Sequence, residues 1–412
     1  MMQKDLIRKL AEKQDCFYLY DEKEILSSIS RLKGHFPSVH FLYSVKCNSC
    51  RQVLDTVFTQ GFGADAASLC EAIAAKETGV PKEAIQYSAP GKSDRDMAAA
   101  LDFSVLTADS VNEVARIERL AAERGMHVEI GIRINPDFSY LGDEGAPSKF
   151  GIDEQLVYES IPLWNQMKHV TVTGIHVHLK SQELDVLSLK SYHEKMFDLA
   201  LRIQTALGHD LKFINLGSGI GIPFAPSDKA VDLGQLAETT ERCIQSYRDR
   251  LPQAKIYMET GRYAVGKSGV YVTKVLDKKR SHGKNILILC STLNGFVRPA
   301  FEQFALKFSG EEEPPMYEPF FTCRNAFQIH ALNDAAEKET VTIYGNLCTG
   351  VDIIAQDVTM PVMEVGDCVL ITNAGAYAAT LTPMQFSSQR EPAQLFVTAD
   401  GDVLETQLLH AK

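Results

Sequence analysis

The chain has 412 residues, 45% hydrophobic and 23% charged, with 42 Lys+Arg against 53 Asp+Glu and a formal net charge of −11. That balance excludes a disordered chain, a collagen-like fibre and a disulfide-dense miniprotein, and the length leaves room for two or three domains. The negative charge repels phosphate backbones and anionic lipid, so neither nucleic acid nor a membrane surface is expected as a main partner.

The longest apolar runs fall well short of the roughly 20 residues of a membrane span. The opening MMQKDLIRKLAEKQD is charged and amphipathic rather than a signal peptide, so a cytoplasmic protein is expected. The nine cysteines are odd in number and scattered, which fits a reducing compartment. Cys47 and Cys50 form one CxxC, but no second CxxC or HxxxH follows at zinc spacing. They read as two reduced thiols, and no metal site is expected.

In chain order, residues 16–20 (CFYLY) are strand-like. Eight further strand-like runs follow at 41–46, 63–67, 85–90, 103–108, 128–135, 172–179, 213–217 and 256–260. Amphipathic helical segments such as 110–124 and 191–207 separate them. Eight βα units in succession predict a closed (β/α)8 TIM-type barrel, with an open doubly wound sheet as the other arrangement the pattern allows. After residue 266 the texture changes. Runs at 270–275, 285–290, 340–344, 368–372 and 394–397 are strand-like, with turns and Pro between them, and predict a C-terminal all-β domain. The strand at 16–20 is expected to pair back into it. The division predicted is therefore a barrel over 29–268 and a β domain built from 1–28 with 269–412. The stretch 309–318, with EEEPP, reads as an exposed loop.

In a (β/α)8 barrel, chemistry sits at the C-terminal ends of the strands. Those ends carry Lys46, Asp65, Arg133, His178, the turn Gly217-Ser218-Gly219, Glu259 and Arg262. Each alone has an ordinary explanation: a snorkelling lysine, a structural histidine, a glycine turn without a ligand. Their convergence on one rim is the signal. A lysine in a partly desolvated pocket forms an imine with an aldehyde. A glycine-rich turn offers backbone N–H groups to a phosphate, and an arginine adds charge. A carboxylate facing a pyridine nitrogen keeps it protonated, and an imidazole stacks on the ring. The molecule with an aldehyde, a phosphate and a pyridine nitrogen is pyridoxal 5′-phosphate. The set fits an enzyme working at an amino acid's α-carbon.

These residues stand in ordered motifs from FYLY at Phe17 to GAYAATLTPMQF ending at Phe386. The chain resembles the fold-type III pyridoxal phosphate decarboxylases, which include the diaminopimelate and ornithine decarboxylases and share an alanine racemase-like barrel. The resemblance implies that Lys46, in YSVKCN, is the Schiff-base lysine. Asp65, Ser68 and Glu71, in GADAASLCE, match a segment lining the cofactor pocket, and Lys149, Phe150 and Gly151 match the family's SKFG element. His178, in HVHLKSQ, resembles the ring-stacking imidazole and Ser181 a phosphate ligand. Gly217, Ser218 and Gly219 match the phosphate loop, Glu259 the partner of the pyridine nitrogen and Arg262 a further phosphate ligand. Cys348, in GNLCTGVD, and Tyr377, in GAYAAT, match residues that complete the site. The family takes that Cys from a second subunit, which implies a homodimer, and Cys348 is the expected proton donor to the α-carbon. Glu259 favours decarboxylation, because the alanine racemases that share the barrel place an Arg at the pyridine nitrogen.

Departures from the family pattern bear on the substrate. Diaminopimelate decarboxylases carry a Glu directly after the Cys and ornithine-type enzymes an Asp, whereas this chain has Thr349. Arg298, in VRPAF, resembles the arginine that grips a distal substrate carboxylate. HxHxGS reads HVHLKS here, with Lys180 for a glycine; it is either an added cation beside the site or a solvent-facing side chain. GGG reads GSG, and DxGMN reads CSTLN at 290–294. The Cys-Thr pairing is similar to the branch of butirosin and siderophore decarboxylases, which implies a carrier-bound or citrate-linked amino acid. Diaminopimelate decarboxylation is the alternative within the family. A non-catalytic pyridoxal phosphate-binding homologue is the alternative of another class, and the retained Lys46, His178, Glu259 and Cys348 argue against it. A dinucleotide reading of GSGIG lacks an acidic residue at the right distance.

Overall fold

The computed structural model describes residues 4–309 and 325–409. The first strand, β1 (Cys16–Asp21), lies outside the barrel. The next strands are β2 (Val39–Ser44), β3 (Gly63–Ala66), β4 (Ile85–Tyr87), β5 (Val105–Ala108) and β6 (Val128–Asn135). After the two-residue β7 (Ile152–Asp153) come β8 (Val170–His176), β9 (Phe213–Asn215) and β10 (Lys255–Thr260). All pair in parallel, in the order β5-β4-β3-β2-β10-β9-β8-β6, and β5 also pairs with β6. That last pairing closes the ring, so the eight-stranded barrel stands and the open sheet is excluded. Several strands end short of their predicted limits. Lys46, for one, lies in the 3-10 turn Val45–Cys47 beyond β2, because the apolar pattern continues into segments that fold over the rim.

The barrel interior is built from inward residues spaced two apart. Near the base, Leu42, Phe213 and Tyr257 form an apolar plug with Val105 packed against it. A Cβ on Gly174 would collide with the Phe213 ring, and one on Gly131 would stand 2.7 Å from it. Two residues on, the same strands carry Ser44, Thr107, Arg133, His176, Asn215 and Glu259. Apolar residues therefore fill one end of the barrel and polar ones, three of them ionisable, the other. Helices that return after β3, β4 and β5 start alike: Ser68, Ser93 and Ser110 each accept the N–H of the residue three on (Glu71, Asp96 and Glu113). Such caps satisfy orphan donors at the helix start, each stabilising by about 1 kcal/mol.

A second sheet contains β1 and the strands from β11 (Gly269–Ser281) through β12 (Lys284–Leu289), β13 (Ile329–Ala331), β14 (Lys338–Gly345), β15 (Ile353–Pro361), β16 (Cys368–Ile371), β17 (Ala393–Val397) and β18 (Val403–Glu405). It is mostly antiparallel, with parallel pairs only at β12–β14 and β1–β17. As expected, β1 joins this sheet, pairing with β11. Phe17 and Leu19 pack into one apolar cluster and Tyr18 and Tyr20 into another, which explains the unbroken apolar run. The strand-rich second domain is as expected, with a helix added to it. Helix Val297–Ser309 lies in this half of the chain; Val297, Phe301 and Phe304 recur at helical spacing, and Pro299 sits in the first turn, where it is tolerated. Most of the EEEPP stretch is outside the described residues. The expected boundary at residue 29 falls inside helix Glu22–His35. Among the described residues no helix is long and apolar enough to cross a membrane.

The plug yields a stability prediction. Gly174→Val drives two methyl groups against the Phe213 ring and is expected to cost about 1–3 kcal/mol or more. Urea denaturation of wild type and variant measures it, and an unchanged midpoint contradicts this packing.

Candidate active site

A cavity of about 1170 Å³ opens at the polar end of the barrel. Lys46 lines it, with 44% of its side chain exposed, and its Nζ lies 2.8 Å from Oδ2 of Asp65, which is 1% exposed. The other oxygen, Oδ1, accepts the Ser88 hydroxyl at 2.7 Å. Burial works against the Lys46 ammonium, but Asp65, then Tyr377 and Glu259, outweigh it and hold the amine above the ordinary lysine range. Asp65 thus acts on Lys46 from below and is not itself among the residues lining the cavity. Lys92, nearby, is a different kind of lysine. Its buried Nζ donates to Ala89 O at 2.6 Å and Thr107 O at 2.8 Å and pairs with Glu113 at 2.8 Å, so its capacity is spent.

Beyond β9 the chain turns through Gly217 and Gly219, with φ of +58° and +83°. A Cβ at Gly217 would lie 2.5 Å from Val177 O and 2.8 Å from His178 Nδ1. At Gly219 it would collide with the Tyr140 hydroxyl. Only glycine fits both positions. Ser218, Gly219, Ser181 and Arg262 line this part of the cavity. His178 Nε2 lies 3.1 Å from Ser181 Oγ, and burial pushes the imidazole down to about 4, so it is neutral at pH 7. The Arg262 guanidinium stacks over Tyr377 at 4.9 Å. The Tyr377 N–H donates to Cys47 O at 2.8 Å, tying this residue to the turn that carries Lys46. An amine, a hydroxyl, a guanidinium and a backbone cradle without room for a Cβ suit a phosphorylated aldehyde.

Glu259, at the end of β10, is buried yet lines the same cavity. Its Oε1 lies 3.0 Å from His176 Nε2 and accepts Asn215 Nδ2 at 3.0 Å. Asn215 also donates to Gln86 Oε1 at 2.8 Å and accepts the Gly217 N–H at 2.8 Å. Burial alone would raise the Glu259 carboxyl, but His176 first, with Lys46 beside it, outweighs it and holds it well below the usual carboxylate range. Sequence reasoning passed over His176, Asn215, Gln86 and Ser88. The strand period of two was the available signal, since it puts His176 on the inner face with Gly174.

Other expected residues lie elsewhere. Cys348 is exposed and, with Thr349, stands outside the cavity lining of this one chain. Arg298 is 0% exposed and outside the lining in this one chain; it donates to Ala376 O at 3.0 Å and packs over Phe224 and Phe327. Burial pulls its guanidinium down to about 9. Lys149 and Phe150 form part of the rim, where Arg133 lies 4.4 Å over the Phe150 ring. Lys180 Nζ is half-exposed and paired with Glu183 at 2.7 Å, so its charge is already matched. Ser68 caps its helix, and Glu71 accepts the Ala67 N–H at 2.6 Å.

Removing the buried countercharge tests the Lys46 pair. Asp65→Asn is expected to lower the pH at which Lys46 reacts with an aldehyde reagent by about one unit or more. Peptide mapping of the labelled protein across pH measures it; an unchanged profile contradicts the role assigned to Asp65.

The family model for the pyridoxal-dependent decarboxylase, pyridoxal binding domain, matches residues 22–266, more than half the chain. The L-glutamyl-[BtrI acyl-carrier protein] decarboxylase of Niallia circulans is 30% identical, over 95% of this chain and 93% of its own. The 2-[(L-alanin-3-ylcarbamoyl)methyl]-2-hydroxybutanedioate decarboxylase of Staphylococcus aureus is 27% identical, over 93% and 94%. The solved diaminopimelate decarboxylase of Helicobacter pylori, complexed with L-lysine, superposes with a TM-score of 0.81 at 25% identity, over 95% and 93%. This chain belongs to the pyridoxal-dependent decarboxylases and is an enzyme of that family, with pyridoxal phosphate as its cofactor.

Proposed function

We propose that the enzyme decarboxylates an amino-acid conjugate, one bound to a carrier or amide-linked to a polycarboxylate, as a cytoplasmic homodimer with shared sites. The observation that carries the substrate reading is Thr349, an uncharged residue where a distal ammonium calls for a carboxylate. The two relatives named for conjugated substrates support it, and a cavity of about 1170 Å³ has room for more than a free amino acid. The dimer reading is supported by the exposure of Cys348, which leaves the site of one chain without its expected proton donor. The division into a barrel, 29–268, and a second domain, 1–28 with 269–412, belongs to the same proposal and is supported by the strand pairing.

The proposed roles follow from the groups present. Lys46 holds the cofactor's aldehyde carbon, and Asp65 orients the Lys46 amine. The loop Gly217-Ser218-Gly219, Ser181 and Arg262 hold the phosphate. Neutral His178 lies against the ring, Glu259 meets its nitrogen, and Tyr377 closes the site beside Arg262. Bound pyridoxal phosphate supplies an electron sink for the pair left when the α-carboxylate departs as CO2. Cys348 of a second copy returns a proton to the α-carbon from its thiol, with Thr349 beside it facing the substrate.

Trapped CO2 across a panel of free, carrier-linked and citrate-linked amino acids tests the substrate class. Fast turnover of free meso-diaminopimelate would instead support the reading that the Helicobacter pylori structure favours. Lys46→Ala is expected to abolish CO2 release, and Cys348→Ala to lower kcat by about 10²-fold or more. Mixing the two inactive variants is expected to restore about a quarter of wild-type activity, because half the dimers then carry one intact site. No recovery on mixing contradicts shared sites.

A further inference from the structure

The contacts of Glu259 are one-sided. His176 and Asn215 both meet Oε1, from β8 and β9, while Glu259 itself lines the cavity. The second oxygen is thereby left for whatever the cavity holds. The groups bearing on this carboxylate are His176, His178 and Lys46 together with the Asn215 amide. Of these, His178 is taken up with Ser181, and Lys46 with Asp65. His176 is 1% exposed, and neither ring nitrogen makes a well-aligned hydrogen bond among the described residues; Nε2 stands 3.0 Å from Glu259 Oε1. A histidine kept in so buried a place costs stability unless its one close polar contact is useful. That contact is Glu259.

We propose that His176, with Asn215, is a positioning residue that keeps Glu259 ionised with one oxygen turned to the cavity, and thereby keeps the pyridine nitrogen of bound pyridoxal phosphate protonated. The inference rests on the proposed role of Glu259. A buried carboxylate without donors takes up a proton. A neutral carboxyl then donates to a bare ring nitrogen instead of accepting from a protonated one, and the ring is a poorer electron sink. Asn215 holds Oε1 in place while its own carbonyl fixes the Gly217 N–H, so the phosphate loop and the nitrogen partner share one anchor. His176 also borders the cavity, and the role proposed for it is the one it exerts through Glu259.

The test compares two variants that differ by one methylene. In His176→Gln the side-chain amide nitrogen reaches the place of Nε2; in His176→Asn it stops short. Both are loaded with pyridoxal phosphate labelled with ¹⁵N in the ring, alongside Glu259→Gln as benchmark, and the ring nitrogen's NMR shift is followed across pH. Wild type and His176→Gln are expected to keep the protonated-nitrogen shift at neutral pH. Glu259→Gln is expected to lose it, and His176→Asn to lose it at a lower pH than wild type, with kcat down about tenfold and KM changed less than twofold. A wild-type nitrogen titration in His176→Asn, with Glu259→Gln altered, overturns the role of His176 alone, whatever happens to thermal stability. A wild-type shift in Glu259→Gln overturns the reading of Glu259 and this inference with it. Should His176→Asn fail to fold, His176→Phe replaces it, keeping the ring volume without the donor, and the same shift decides.

Discussion

The architecture of the site follows from one constraint, the two-residue period of a β-strand inside a closed barrel. Inward positions two apart step from an apolar layer to a polar one: Gly131 to Arg133, Gly174 to His176, Phe213 to Asn215 and Tyr257 to Glu259. Phe213 fills the base because Gly131 and Gly174 give it space. Above that dry plug, charges are kept from bulk water on one side and open to the cavity on the other. Electrostatic contacts there are stronger than at a surface, and an unpaired group is correspondingly costly. The site answers by pairing its charges: Lys46 with Asp65, Glu259 with His176, Lys92 with Glu113.

Two lysines at the same rim show how that pairing separates chemistry from structure. Lys92 is buried with two carbonyls and a carboxylate around its Nζ, and it fixes the loop after β4 to the end of β5. Lys46 has one carboxylate below it and the cavity above. Both stand near strand ends, and nothing in their immediate sequence ranks one over the other by physics alone. The difference lies in neighbours that come from distant parts of the chain.

That contrast describes what was legible in the sequence. The eight barrel strands could be read from the alternation of β-rich and amphipathic runs, and the shift in texture after residue 266 marked the second sheet. Short strands such as β13 and β18 were missed because tertiary packing rather than local pattern decides them, whereas the helix Val297–Ser309 was missed although its apolar spacing was there to read. In the site, Lys46, His178, the glycine turn, Glu259 and Arg262 were visible as rim residues or motif matches, and the fold does bring them to one cavity. The supporting layer was not: His176, Asn215, Gln86 and Ser88 act through partners on other strands, and only the closed ring makes them neighbours. Arg298 shows the limit of a motif match read without the fold. Its motif survives, yet the fold packs its guanidinium between aromatic rings. Cys348 and Thr349 lie on a loop that one chain leaves away from its own cavity.

The central claim is that Lys46, set by Asp65 at the polar end of the barrel, is the amine that receives the cofactor's aldehyde. The most direct measurement is borohydride reduction of the protein in the presence of pyridoxal 5′-phosphate, followed by mass-spectrometric mapping of the modified peptide. The account predicts one stable modification, on Lys46. A stable label on Lys92, Lys149 or Lys180 in its place, or none at all, would contradict it.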